Sequence, residues 1–512
     1  MRAFLASSIS VACTAALVLP ALALPAFAAA PPPATAPDVP GSTQSLPLAP
    51  LPGLQRAPGE SASQGLAPRN VHPFSLVGVI WDDVEAELHG TVQVRTRAAG
   101  TPDWSEWQDV VTDNREHGAD PDSAERTDGR PVRGSTAPLW VGASDGVEVR
   151  VRPQPAGTGT PRAGTPPLPN GLRLELVDPG PATETEVKVP DGPQGQTGSV
   201  PPGEPPAETL PDEPPAETLP DEPPAETLPD EPPAETLPGE PPAEALPGEE
   251  EDPAGGGQSG VDAALVAGMT AEAAAASAVN ADLAPLGSTV IPARTKAETD
   301  AQAVMYGVAK PYIGPRPTIV TRKGWGANEA IREKQFLYTN SVKAAFIHHS
   351  ATGNRYTCRQ APSVLRSIYR YHVESSGWRD LGYNFAIDKC GNIYEGRAGG
   401  VAKAVMGAHT LGFNSNSMGI AVLGTYSSTV PPAAAVNAVA RLTAWKLGLY
   451  GVNPQATTLL TSGGGNKFKK GTQARLNVIS GHRDGFATDC PGGQLYGKLG
   501  PARIASAKYQ GR

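Results

Sequence analysis

Two hydrophobic periods occupy different parts of this chain. Between Phe74 and Asp178, short runs alternate apolar and polar residues: Leu76, Val77, Val79 and Ile80; Val92, Val94 and Thr96; Val147, Val149 and Val151; Leu172, Leu174 and Leu176. A period of two, broken by Gly, Pro and Asp, predicts strands, so residues 73–178 read as an all-β, sandwich-like module. From about Arg316 the pattern mixes both periods. Ala344 to His349 reads as a buried strand, whereas Val364, Ile368, Tyr371 and Val373 have helical spacing within Ser363 to Ser376. Asn384 to Ile387 and Met418 to Leu423 are further strands, and Pro431 and Gly448 bracket an Ala-rich helix holding Leu442 and Trp445. Strands interleaved with helices predict an α/β domain over 316–512, with a mixed β-sheet flanked by helices.

Elsewhere neither period holds. Residues 1–28 carry one basic residue, Arg2, then an apolar run through Leu17, Val18, Leu19 and Leu22 that ends in Ala26-Phe27-Ala28. This is the pattern of a cleaved secretory signal, and Pro20 and Pro25 argue against a membrane anchor. Residues 29–72 are rich in Pro, Ala and Ser and read as a disordered leader. Within 179–260, a nine-residue motif, Glu-Pro-Pro-Ala-Glu-Thr-Leu-Pro-Asp, starts at Glu204 and is reopened by Glu213, Glu222, Glu231 and Glu240. Its prolines remove ladder donors and its carboxylates repel, so a long disordered Pro/Glu-rich linker with polyproline-like extension is expected, giving reach through a wall. Residues 261–315 read as an Ala-rich linker. The 512-residue length is thus multidomain, and 57 Gly and 56 Pro fit so much linker.

Charge and cysteine usage narrow the partners. From Arg316 to Arg512 there are 25 Lys and Arg against 8 Asp and Glu, about +17, whereas Lys188 is the only basic residue from Pro179 to Gly260. The basic part seeks an anionic partner. For a secreted protein that means the carboxylates and phosphates of a cell wall, including anionic wall polymers, and not nucleic acid. Loss of Cys13 with the signal leaves Cys358, Cys390 and Cys490; an odd number in an oxidising compartment implies one pair and one thiol with another role, of which metal binding leads. Trp81, Trp104, Trp107 and Trp140 of the β module are either core or a platform for sugar rings.

Three segments hold residues suited to zinc: His348-His349, His409 after Gly407-Ala408, and Gly481-His482-Arg483-Asp484 followed by Asp489-Cys490-Pro491. A catalytic Zn2+ needs three such ligands and an open fourth position. No short Cys-x-x-Cys or His-Glu-x-x-His spacing occurs here, so spacing alone does not single out the ligand set. The surrounding motifs add more. His348-His349-Ser350-Ala351-Thr352, Gly377-Trp378, Gly382-Tyr383-Asn384-Phe385, Tyr394-Glu395-Gly396-Arg397, Gly407-Ala408-His409, Gly419-Ile420 and Gly481-His482 to Cys490-Pro491 appear in that order. Over about Pro317 to Ala507 the chain resembles the family of peptidoglycan recognition proteins and type 2 N-acetylmuramoyl-L-alanine amidases.

The resemblance implies His348, His482 and Cys490 as metal ligands, with His349 on the opposite strand face. It implies Tyr383 as a catalytic group that orients water or stabilises an oxyanion, with Thr488 assisting where other members carry lysine. His409, Asn414 and Arg397 become substrate-groove residues, His409 with an equal claim to supporting a ligand. Cys358 and Cys390, 32 apart, are expected to form a disulfide worth about 3 to 4 kcal/mol, leaving Cys490 for the metal. The implied activity is hydrolysis of the amide between N-acetylmuramic acid and L-alanine by a secreted, cell-wall-associated monomer whose partner is bacterial peptidoglycan. The rivals are a non-catalytic peptidoglycan-binding module and a surface adhesin.

Overall fold

The computed structural model describes residues 41–51, 63–112, 114–127, 130–154, 166–182, 186–188, 288–305 and 311–512. The signal, most of the acidic repeat linker and the Ala-rich stretch before 288 lie outside these residues.

The N-terminal module contains β1 (Ser42–Pro47), β2 (Ala49–Pro50), β3 (Gln64–Trp81), β4 (Gly90–Ala98), β5 (Gln108–Val110), a one-turn helix α1 (Ala124–Thr127), β6 (Gly134–Ser135), β7 (Leu139–Pro153) and β8 (Arg173–Asp178). The expected sandwich is corrected in one respect: all the strands belong to a single hydrogen-bonded sheet, with β1-β8-β3-β7-β4-β5 as its main path. Register shifts along the β3–β7 pairing mark bulges that bend the long strands, so one sheet serves where two were expected. The start of the module is also corrected. Residues 29–72 are not all leader, because β1 pairs residue by residue with β8, from Ser42 opposite Asp178 to Pro47 opposite Arg173, and β3 begins at Gln64. β1 lies at the sheet edge and the first half of β3 is mostly exposed, so both carry backbone pairing without a readable apolar alternation.

Leu76 to Trp81 is buried on both faces. Val77, Val79 and Trp81 point into the module's own core with Val92, Val94, Val147, Val149, Leu174 and Leu176. Leu76 and Ile80, with Trp140 and Val177, point the other way and merge with apolar side chains of the C-terminal domain. Of the four tryptophans, Trp81 and Trp140 are therefore core. Trp104 and Trp107 are partly exposed, but their faces are taken: Arg95 lies over both and Arg150 sits 3.9 Å from the Trp107 centroid.

The C-terminal domain comprises β9 (Val290–Ile291), α2 (Lys296–Met305), β10 (Ile319–Val320), β11 (Ala344–His349), α3 (Ala361–Arg370), β12 (Phe385–Ile387), β13 (Ile393–Glu395), β14 (Ser417–Val422), α4 (Ala433–Gly448), β15 (Thr457–Thr461), β16 (Gln473–Asn477), β17 (Ile479–Gly481), α5 (His482–Gly485), α6 (Gly493–Tyr496) and α7 (Leu499–Gln510). Its main sheet runs β17-β11-β14-β12-β13-β10-β9; β11 is parallel to both β14 and β17, and β12 is antiparallel to β13. The predicted linker 261–315 is corrected at its end: β9 pairs with β10, and Ile291 and Ile313 enter the domain core. Too few apolar positions lie in that stretch to announce themselves as a periodic pattern.

Helix α3 begins with Pro362 in its first turn, where a missing N–H costs nothing, and continues into a π-helical turn at Tyr371–Ser375. Its Val364, Leu365 and Ile368 pack beneath the sheet, and Tyr371 reaches across to the N-terminal module, donating from its hydroxyl to the Thr136 carbonyl at 3.0 Å. Cys358 and Cys390 are bonded, with Cα atoms 6.2 Å apart.

Candidate metal and substrate site

Strand alternation sorts the paired histidines of β11. Ala345 and Ile347 enter the main core, while Ala344 and Phe346 join Phe413 on the opposite face. His348 shares the Phe346 face; His349 shares the Ile347 face, where its Nδ1 accepts from the Tyr426 amide at 3.3 Å. Parallel pairing sets Ile347 opposite Gly481, so the C-terminal ends of β11 and β17 bring His348 beside His482, with ring centroids 4.6 Å apart. The loop after α5 folds back through two bonds, Arg483 N–H to the Cys490 carbonyl at 2.9 Å and Cys490 N–H to Thr488 Oγ1 at 3.1 Å. This leaves Cys490 Sγ 3.7 Å from His348 Nδ1. Adjacent nitrogen and sulfur donors on a tetrahedral zinc stand about 3.5 Å apart, given bonds of about 2.0 and 2.3 Å.

A residue outside the sequence-derived set completes the cluster. His117, from the segment between β5 and β6, offers a ring nitrogen that lies with those of His348 and His482 and with Cys490 Sγ, all within 4.8 Å of one another. Both ring nitrogens of His117 and both of His482 are buried without a hydrogen-bond partner of standard geometry. Unpaired buried polar atoms are costly, and one nitrogen from each of these rings, converging with a His348 nitrogen and Cys490 Sγ, fits a cation better than an apolar packing role. The donor set of imidazole and thiol suits Zn2+. Burial holds His348 and His482 well below the usual imidazole range, aided by the neighbouring histidines, and pushes the Cys490 thiol well up. The imidazoles are thus neutral and ready to donate, while the thiolate needs a cation beside it.

The remaining predicted residues surround this cluster. Tyr383 is buried with its ring 5.4 Å from that of His348; burial, then the proximity of Cys490 and Glu116, raises its hydroxyl well above the ordinary phenol range. His409 lies 5.3 Å from His348, ring to ring, in space left by a glycine: a Cβ on Gly419 would sit 2.4 Å from His409 Cγ. Its neighbour Thr410 places Oγ1 3.4 Å from His348 Nε2, a contact that leaves Nδ1 to face the sulfur. Asn414 caps this turn by accepting from the amides of His409 and Thr410 at 2.7 and 3.0 Å.

Asn414, Arg397 and Thr488 also meet the N-terminal module. Asn414 Nδ2 donates to the Gly118 carbonyl and to Asp120 Oδ1, both at 3.0 Å; Arg397 pairs with Glu125 at 2.5 Å; Thr488 Oγ1 lies 3.1 Å from Glu116 Oε1. The sequence reading missed residues 114–127 because they carry no apolar period and sit some 220 residues from the first zinc motif. The one local signal is a histidine that follows Glu116 and stands three residues before Asp120, in a loop of an otherwise β module.

Comparison with known proteins agrees with this architecture. Residues 31–170 match a family model described as an Rv3811 N-terminal galactose-binding domain-like module, and residues 338–493 match N-acetylmuramoyl-L-alanine amidase. The chain belongs to the family of peptidoglycan-recognition proteins and N-acetylmuramoyl-L-alanine amidases. Peptidoglycan-recognition protein SC2 of Drosophila melanogaster is 31% identical over 182 residues, covering 36% of this chain and 84% of that protein. The human N-acetylmuramoyl-L-alanine amidase is 30% identical over 187 residues, covering 36% of this chain and 28% of its own. Among solved structures, wild-type Drosophila PGRP-LB is 26% identical and covers 35% of this chain and 91% of that one, with a TM-score of 0.28. Among the described residues no helix is long and apolar enough to cross a membrane.

Proposed function

We propose that the C-terminal domain is a zinc-dependent N-acetylmuramoyl-L-alanine amidase that releases stem peptides from bacterial peptidoglycan in the cell wall outside the cell. The observation that carries this reading is the convergence of His348, His482 and Cys490 at the ends of β11 and β17 and in the loop that follows, with Tyr383 against them. These three side chains would hold Zn2+, which supplies acidification of water and polarisation of a carbonyl when bound. Thr410 and His409 fix the His348 ring, and Thr488 holds the Cys490 backbone. The Tyr383 hydroxyl, kept protonated by burial, donates to the oxygen that becomes anionic as the amide carbon turns tetrahedral. Arg397 and Asn414 line the groove for an anionic stem peptide. The lactyl–L-alanine amide is the bond that breaks, its nitrogen leaving with the peptide and its carbonyl carbon taking the water oxygen.

The recognition-protein names of several relatives favour a second reading, binding of peptidoglycan without cleavage. The two separate in one experiment. The full chain and its His117→Ala variant are incubated with peptidoglycan, and the released products are identified by mass spectrometry. Free stem peptides that begin with L-alanine are expected from His117→Ala at least, and are lost on chelation or on Cys490→Ser. Zinc-loaded, folded protein of both kinds that binds the polymer and releases nothing transfers the assignment to recognition.

A further inference from the structure

We infer that His117 is a fourth zinc ligand, contributed by the N-terminal module, and that residues 114–127 close the groove, so that the full chain rests in a latent, four-coordinate form. This inference rests on the zinc reading of the site and goes beyond it, since a zinc hydrolase of that reading needs three protein ligands and an open position.

Four observations carry it. The His117 ring lies 4.6 Å from His482, 5.4 Å from His348 and 6.0 Å from Tyr383, beside both the donors and the residue proposed for chemistry. Among the described residues neither of its nitrogens has a hydrogen-bond partner of standard geometry, the nearest carboxylate oxygen, Glu116 Oε1, standing 3.9 Å from Nδ1, and the residue is only 5% exposed. Its place is enforced by backbone: the Leu411 amide donates to the Glu116 carbonyl at 2.8 Å, and Asn414 donates to the next carbonyl but one, that of Gly118. Finally, every acidic residue of the segment has a partner on the C-terminal domain. Glu116 meets Thr488, Asp120 accepts from the Gly412 amide at 2.6 Å and from Asn414, Asp122 pairs with Lys470, and Glu125 pairs with buried Arg397.

The segment therefore lays carboxylates along the groove proposed for an anionic peptide while its histidine takes the position water would need. A zinc ion with four protein ligands is closed to water, so this arrangement stores the site without exposing it. Withdrawal of 114–127 frees both the fourth position and Arg397, Asn414 and Thr488.

X-ray absorption at the zinc edge of the zinc-loaded full chain tests this directly. Three imidazole nitrogens and one sulfur are expected in the wild type; two imidazoles, one sulfur and one oxygen are expected in His117→Ala. A second variant, Asp120→Asn with Glu125→Gln, keeps His117 but loosens its segment, and stem-peptide release is expected to rise at least about tenfold in both variants. Zinc held by two imidazoles, one sulfur and one oxygen in the wild type, unchanged in His117→Ala, would overturn this inference and leave the amidase reading standing. A chain that takes up no zinc overturns both.

Discussion

At the scale of single residues, the site depends on side chains that do nothing but hold others. Thr410 is the clearest: its hydroxyl lies against His348 Nε2 and selects which nitrogen faces Cys490. Thr410→Val should lower zinc affinity by about 10- to 100-fold, measured by competition with a chromophoric chelator, because the ring loses its orienting partner. Tyr383→Phe keeps the ring packing and removes only the donor. In a His117→Ala background it should cut kcat by about 100-fold or more with little change in KM, as loss of an oxyanion donor does; equal losses in binding and turnover would make Tyr383 a packing residue. Cys490, His482 and His348 were legible as candidates because the chemistry of zinc restricts its ligands to a few residue types. His117 is the same residue type, but nothing near it in the chain shows that it faces the others.

Among elements, the contact between β3 and α3 matters most. The alternation of Leu76 to Trp81 predicts a strand but cannot say that both faces are covered, one by the module's core and the other by α3 and the turn that follows it. Gly78 sits at that contact, and an added Cβ would lie 2.4 Å from Tyr371 Oη. With Tyr371 fully buried and bonded to Thr136, there is little room to yield, so Gly78→Ala should cost about 1 to 3 kcal/mol and lower the melting temperature. The same variant is expected to make residues 114–127 more accessible to protease; an unchanged melting temperature would mean that the interface adjusts freely. β11, α3, β14 and α4 lie close to where periodicity puts them, because each buries a well-defined apolar face. β1, β9 and the first half of β3 carry no such signal, since edge strands and exposed strand segments held mainly by backbone pairing impose little on side-chain identity.

For the molecule as a whole, burying so many histidines makes acid a general stress. Burial lowers His372 to about 3, with His117 and Arg397 adding repulsion, and it likewise lowers His409 to about 3 and His349 to about 4. Above pH 6.5 such a residue is neutral whether folded or unfolded and stability is unaffected. Below that, the unfolded chain takes up a proton that the folded chain refuses, so stability falls until the folded pKa is reached. For His372 alone the loss between pH 6.5 and pH 4 is about 3 kcal/mol. Urea unfolding of metal-free protein across that range should show a steep decline in the wild type and a shallower one in His372→Gln, and parallel curves would count against the assignment.

What the sequence by itself determined is the set of parts: a β-rich module, an acidic Pro- and Glu-rich repeat, a basic α/β domain of a recognisable family, and the residue types able to bind zinc. These are local properties, set by period, composition and motif, and they survive without knowledge of the partner surface. Tertiary structure alone decided that the two ordered modules share one apolar cluster, and that a histidine from the first stands with His348, His482 and Cys490 of the second. Contacts between residues hundreds of positions apart depend on the relative placement of whole folded surfaces, and neither hydrophobic period nor charge pattern encodes that placement at any one position.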